Sequence, residues 1–224
     1  MDKGALTVVT QPGSEPITLA DLKTHLRVDA GDISQDTPLG AYLSAVRAHI
    51  ELIAGIAFLD QKLEWAMDTF PWADGPSHRV AGGGYFYWPG SIARTLGDNV
   101  FGAIVIPRPP LTAVNSVKYI DPSGALITMD PSLYIVDTRS YPARVTPAYG
   151  TWWPTTRWQP NAVIVNYQAG YANGGAVPAN LLQTLRVAAG MLYEYREEMI
   201  DGPTPNITRI LQRLLAPIRV WIAA

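Results

Sequence analysis

The sequence contains no cysteine in its 224 residues, which excludes disulfide bonds, thiolate catalysis and cysteine-rich zinc sites. It also lacks an excess of charge of either sign. With 17 lysines and arginines against 19 aspartates and glutamates, the formal net charge is −2, too little to make a broad phosphate-binding surface, although a local patch can hide in a neutral total. Long apolar runs are absent too. They are interrupted well short of the roughly 20 residues that a spanning helix needs, and residues 1–16 hold no apolar core behind basic residues. The expectation is a soluble protein of a reducing cytoplasm with no membrane partner, long enough to bury a substantial core.

Missing motifs narrow the chemistry further. His25, His49 and His78 fall in separate elements, with no HExxH and no carboxylate at ligand spacing, so no metal site is expected. Gly82-Gly83-Gly84 lacks the Lys-Ser/Thr of a phosphate loop, and Gly82 to Tyr87 lacks the last glycine of GxGxxG. No GxSxG elbow marks an activated serine. Glu194, Glu197 and Glu198 with Arg196 read as a solvated helix end, and Asn206-Ile207-Thr208 as a helix cap. No catalytic residue and no cofactor are assigned, and an enzyme is not expected.

What is present begins with helices. Thr18 followed by Asp21 has the spacing of a capping box, and Leu19, Leu22 and Leu26 make a narrow stripe that ends near Asp29-Ala30-Gly31. Asp36 and Pro38 open a second helix, in which Leu39, Leu43, Val46, Ile50 and Ile53 share one face. From Leu59 the period changes to two. Leu59, Gln61, Leu63, Trp65 and Met67 alternate with polar residues, the pattern of an antiparallel sheet with one wet face. An irregular stretch with Gly82-Gly83-Gly84 and Tyr85-Phe86-Tyr87-Trp88 follows, and such a stretch in a compact domain usually has a function. Ile104-Val105-Ile106 resumes the strands.

Val114 to Ile120 and Ala125 to Met129 flank Asp121-Pro122-Ser123-Gly124, the clearest hairpin turn in the chain. Tyr134 to Asp137 and Ala143 to Val145 give two short strands. Val163, Val165 and Tyr167 then form one apolar face of another strand, before Pro178 opens a long helix with Leu181, Leu185, Ala188 and Leu192 at helical spacing. The first helices lack an adequate partner until this one returns, so Leu181, Leu185, Ala188 and Leu192 should pack on Leu39, Leu43, Val46 and Ile50, with Ala188, Ala189 and Gly190 permitting close approach.

The architecture expected is α+β, an antiparallel helical bundle with an inserted antiparallel β-domain. Residues 1–16 form an extended N-terminal arm, 17–58 and 177–216 the bundle, 59–176 the β-domain with a long loop 70–103, and 217–224 a C-terminal tail. The tail carries Trp221 and Ile222, and such an apolar terminus is either folded onto its own core or buried in a partner. Arg209 and Arg213 lie one turn apart; with Arg219 they form either a solvated face or a contact for an acidic partner surface or for DNA. Tyr85, Phe86, Tyr87, Trp88, Trp152, Trp153 and Trp158 lack the basic groove that usually accompanies stacking on bases, which favours packing in loops or against a neighbouring subunit.

The order of pieces carries a resemblance. ITLADLKTHLRVD (17–29), IELIAGIAFLDQKLEWAMDTFP (50–71), IPRPPLTAVNSVKYIDPSGALITMDPSLYIVD (106–137), PARVTP (142–147), NAVIVNYQAGYA (161–172) and VPANLLQTLRVAAGMLYEYRE (177–197) together resemble the phage head-tail connector proteins. These are adaptor or head-completion proteins, including the phiE125 gp8-like group. The resemblance implies a virion protein that forms a homo-oligomeric ring, a dodecamer, beneath the portal protein of a tailed phage or a gene transfer agent. It is assembled in the bacterial cytoplasm, lies in the neck of the particle, meets a tail-side stopper or terminator protein, and has DNA only as passing cargo. Within such a family the C-terminal segment engages the portal, which makes Arg209, Arg213, Arg219, Trp221 and Ile222 the partner-binding candidates. A tail-terminator or stopper ring, a carbohydrate- or nucleic-acid-binding module using the aromatic loops, and a hydrolase are the alternatives.

Overall fold

The computed structural model describes residues 4–71, 102–194 and 215. They divide into two compact units. Residues 12–60, 170–194 and 215 make a helical unit, and residues 4–11, 61–71 and 102–169 make a sheet unit. The chain is therefore α+β, with three helices of eight residues or more among the described residues and two antiparallel sheets.

In the helical unit, α1 (Leu19–Leu26) starts on the expected capping box. The Asp21 N–H donates to Thr18 Oγ1 at 3.1 Å, while the Thr18 N–H reaches back to Asp21 Oδ2 at 3.4 Å. The Thr18 hydroxyl, which donates to Asp21 Oδ2 at 2.8 Å, and then the Thr18 N–H hold the Asp21 carboxyl below its ordinary pKa. α2 (Asp36–Ala54) buries Leu39, Leu43, Val46, Ile50 and Ala54 and stops at Gly55, whose left-handed backbone lets its N–H cap Glu51 O. α3 (Ala179–Glu194) begins straight after Pro178 and buries Leu181, Leu185, Ala188 and Ala189.

All three helices share one core with Ile56, Phe58 and Val177. Leu181, Leu185 and Ala188 lie in it with Leu39, Leu43, Val46 and Ile50, and Leu192 packs at its margin. Gly190 has a different neighbour from the one expected. A side chain there would meet Leu26 and His25 of α1, so this glycine admits the end of α1 to α3. Close backbone approach also governs Gly170, where a Cβ would fall 2.1 Å from Leu59 O.

The sheet unit holds a five-stranded sheet in the order β1-β2-β8-β4-β5: β1 (Ala5–Thr10), β2 (Gln61–Met67), β8 (Val163–Ala169), β4 (Leu111–Ile120) and β5 (Leu126–Thr128). A second sheet runs β3-β7-β6, from β3 (Ile104–Val105), β7 (Arg144–Pro147) and β6 (Tyr134–Asp137). Central β8 shows the period of two directly: Val163, Val165, Tyr167 and Ala169 are buried, and the residues between them are half-buried. The β4–β5 hairpin pairs Ile120 with Leu126. Asp121 Oδ1 accepts from Ala125 N–H at 2.8 Å, and Gly124 takes the positive φ that closes the turn.

Within the extended segment that opens the chain, Ala5–Thr10 is an edge strand paired with β2 in the register Ala5 to Ala66 and Leu6 to Trp65. Apolar residues on that segment find partners some 60 positions later, a pairing invisible to local periodicity. From Pro12 the chain belongs to the helical unit.

Candidate functional site

No helix of the described residues is long and apolar enough to cross a membrane. Nor do the described residues bring three or more metal-ligating side chains together. His25 and His49 are exposed on their helices. An open cleft of about 590 Å³ lies between the ends of α1 and α3, lined by residues that include His25, Arg27, Met191, Tyr193 and Glu194. Among the described residues its titratable lining is His25, Arg27, Tyr193 and Glu194. The partner-binding candidates Arg209, Arg213, Arg219, Trp221 and Ile222 lie outside the described residues, as do His78 and residues 72–101. Leu215 is described, and it is fully buried in the helical core.

Two kinds of site remain, and each sits in its own unit. In the helical unit, buried charges clamp the segment before α1 onto α2. Arg47 Nε donates to Glu15 Oε2 at 2.8 Å and Ser44 Oγ to Glu15 Oε1 at 2.6 Å. On its other side Arg47 Nη1 pairs with Glu51 Oε2 at 3.2 Å, and Glu51 Oε1 accepts the Phe58 N–H at 2.9 Å. Glu51 is 2% exposed, so each of its oxygens needs such a donor. Lys23, also buried, ties down the loop before α2 through Ala30 O, Asp32 O and Asp36.

In the sheet unit the aromatic residues divide. Trp153 is 3% exposed and stacks on Phe70 with ring centroids 4.7 Å apart and 5° between planes; Phe70 in turn meets Tyr119 edge-on at 5.8 Å. The Trp153 Nε1–H donates to Gly102 O at 2.5 Å. One indole thus holds Phe70 and Gly102, the two residues that border the segment 71–101, against the same spot. Trp152 and Trp158, beside it in sequence, point outward, at 65% and 102% exposure. Tyr167 donates its hydroxyl to Pro107 O at 2.8 Å in a dry interior, and burial pushes its pKa far up.

Exposed apolar side chains gather at two strand edges of this unit: Leu126 and Ile127 on β5, and Leu133 and Ile135 at β6. Sequence reasoning did not single these out. The available signal was β5 itself, where two apolar neighbours must point to opposite faces, so both faces of a short strand are apolar.

No protein-family model matches the chain, and no curated protein matches it either. Solved structures do share its fold, a helical unit and a sheet unit built from one interleaved chain. A chain in the virion of the native gene transfer agent (GTA) particle is similar over 98% of this chain and 97% of its own, with a TM-score of 0.68 and 19% identity. Chains in the neck of the empty GTA particle, computed with C6 symmetry, and of the native particle, computed with C12 symmetry, give TM-scores of 0.67 and 0.66 at 20% and 18% identity over the same shares. At such identities the likeness is one of fold.

Proposed function

We propose that this protein is a structural head-tail connector, an adaptor in the neck of a tailed phage or a gene transfer agent particle, and not an enzyme. The observation that carries this reading is the end-to-end sharing of fold with chains of GTA virion and neck structures, both units included. In this reading the chain forms a homo-oligomeric ring, taken as a dodecamer, a count compatible with necks computed with C12 and with C6 symmetry. In it the helices form an antiparallel bundle with the sheet unit inserted. The ring stands below the portal protein, meets a stopper or terminator protein on the tail side, and encloses the path of the DNA. Arg209, Arg213, Arg219, Trp221 and Ile222 serve the portal contact.

The buried charge clamp and the aromatic stack suit this task, since a ring subunit needs rigid halves and two unlike surfaces. Electron microscopy of the purified chain, alone and with portal protein, tests the reading: rings of twelve that bind portal are expected. A monodisperse monomer that never associates with portal sinks it. Deleting residues 218–224 should leave the protein folded and weaken portal attachment.

A further inference from the structure

Among the described residues the sheet unit ends in four free strand edges: β1 and β5 on one sheet, β3 and β6 on the other. A free edge is a template for pairing with another chain, and proteins blunt such edges with bulges, prolines, charge or brevity. Two of the four are blunted. β1 carries a bulge between Val8 and Thr10, and β3 is two residues long, with Ile104 buried and prolines close behind.

The other two are short as well, at three and four residues, but they keep large apolar side chains in the open. β5 has no lysine, proline or bulge, and its Leu126 and Ile127 are 57% and 37% exposed on opposite faces. Exposed Trp158 sits at the same hairpin, because Arg157 N–H donates to Ile120 O and Ile120 pairs with Leu126. β6 has no lysine or proline, its one charged residue, Asp137, is paired with Arg144 of β7, and Ile135 is 53% exposed. Exposed Leu133 and Trp152 adjoin it, held together by the Thr151 hydroxyl donating to Leu133 O at 3.2 Å.

We propose that these edges are the two halves of a head-to-tail contact between copies of this chain, β5 with Trp158 on one copy meeting β6 with Leu133, Ile135 and Trp152 on the next. The inference rests on the ring reading above. A second copy is the occupant because association that closes by rotation needs two unlike surfaces on each subunit, whereas a two-fold dimer needs a single edge that matches itself. One unit bearing two unlike edges with exposed apolar side chains meets the first requirement. Main-chain bonds along the edges supply attraction, and the alternating side chains supply register.

The absence of cysteine makes the test clean. The full chain carrying both Leu126→Cys and Ile135→Cys, treated with a short bis-maleimide, should give a covalent ladder that ends in a closed ring. Each single variant alone should give no ladder, and an equal mixture of the two single variants should stop at dimers, since each copy then offers one reactive edge. In parallel, Ile135→Lys should stay folded by circular dichroism while its ring population falls at least about tenfold. Rings by electron microscopy without a ladder from the double variant would overturn this contact and leave the connector reading standing. A full chain that forms neither rings, with or without portal, nor a ladder would overturn both.

Discussion

The two units dispose of their apolar side chains in opposite ways. Among the described residues the helical unit exposes only Ile33 and Leu52 as large hydrophobics, whereas the sheet unit exposes nine: Val9, Leu126, Ile127, Leu133, Ile135, Tyr141, Tyr149, Trp152 and Trp158. Polar groups run the other way. The helical unit buries Lys23, Arg47, Glu51 and Thr184, and the sheet unit buries Gln61 alone as a whole residue. A unit that hides charge and apolar surface alike is self-sufficient. One that shows apolar surface keeps part of its burial for a partner. The difference assigns stability chiefly to the helices and association chiefly to the sheets, and substitutions can break that division.

The largest effect should come from the one sheet-unit tryptophan that behaves like a helical-core residue. Trp153→Ala removes a buried indole, its stack on Phe70 and its bond to Gly102, and should cost about 4 kcal/mol of stability. Urea denaturation measures this, and a loss under about 1 kcal/mol would mean that the stack does not hold the borders of segment 71–101. Next in size is Arg47→Met, which keeps the stem of the side chain but takes the guanidinium away from buried Glu51 and from Glu15, for about 3 kcal/mol. Pairing it with Glu51→Gln should restore part of that, because it removes the buried charge that Arg47 faced.

Smaller still is the expected effect of Trp158→Ser on stability, within about 0.5 kcal/mol, since the side chain is fully exposed. Its effect belongs to association: sedimentation velocity should show fewer rings at equal protein concentration. The same measurement on Leu52→Ser, an exposed residue of the helical unit, should show no change in ring population. If Leu52→Ser dissolves rings and Trp158→Ser does not, the division between the units is reversed.

The local parts of this fold were legible in the sequence. Thr18 and Asp21, the register of Leu39, Leu43, Val46 and Ile50, and the Asp121 to Gly124 turn each declare themselves within a few residues, and each stands where the sequence suggests. Features joined across long separations were not legible. β1 meets β2 from far along the chain, and Glu15 reaches Arg47 across 32 positions. The Arg47–Glu51 pair has the readable spacing of one helical turn, yet nothing local says that it is buried. Trp152, Trp153 and Trp158 look alike as letters. Only packing separates the one that brings Phe70 and Gly102 together from the two that face outward.

The smallest expected effect concerns how each unit fixes its turns. Asp21 and Asp32 in the helical unit, and Asp121, Asp130 and Asp137 in the sheet unit, are all held below the ordinary carboxylate pKa by hydrogen bonds from nearby hydroxyls and backbone N–H groups. Asp137 alone is lowered as far as about 2, chiefly by the Ser140 hydroxyl, with the Arg139 N–H and Arg144 adding to it. A carboxyl with a depressed folded pKa contributes stability that is fully present above its unfolded value of about 3.9 and is lost as pH falls through the folded value. Wild-type protein and Asp137→Asn should therefore differ by a constant margin above about pH 5, and the margin should close between about pH 4 and pH 2. Urea midpoints across that range measure it. A margin that persists at pH 2 would mean that the turn is held by the shape of the side chain, and that its charge contributes nothing to keeping β6 and β7 together.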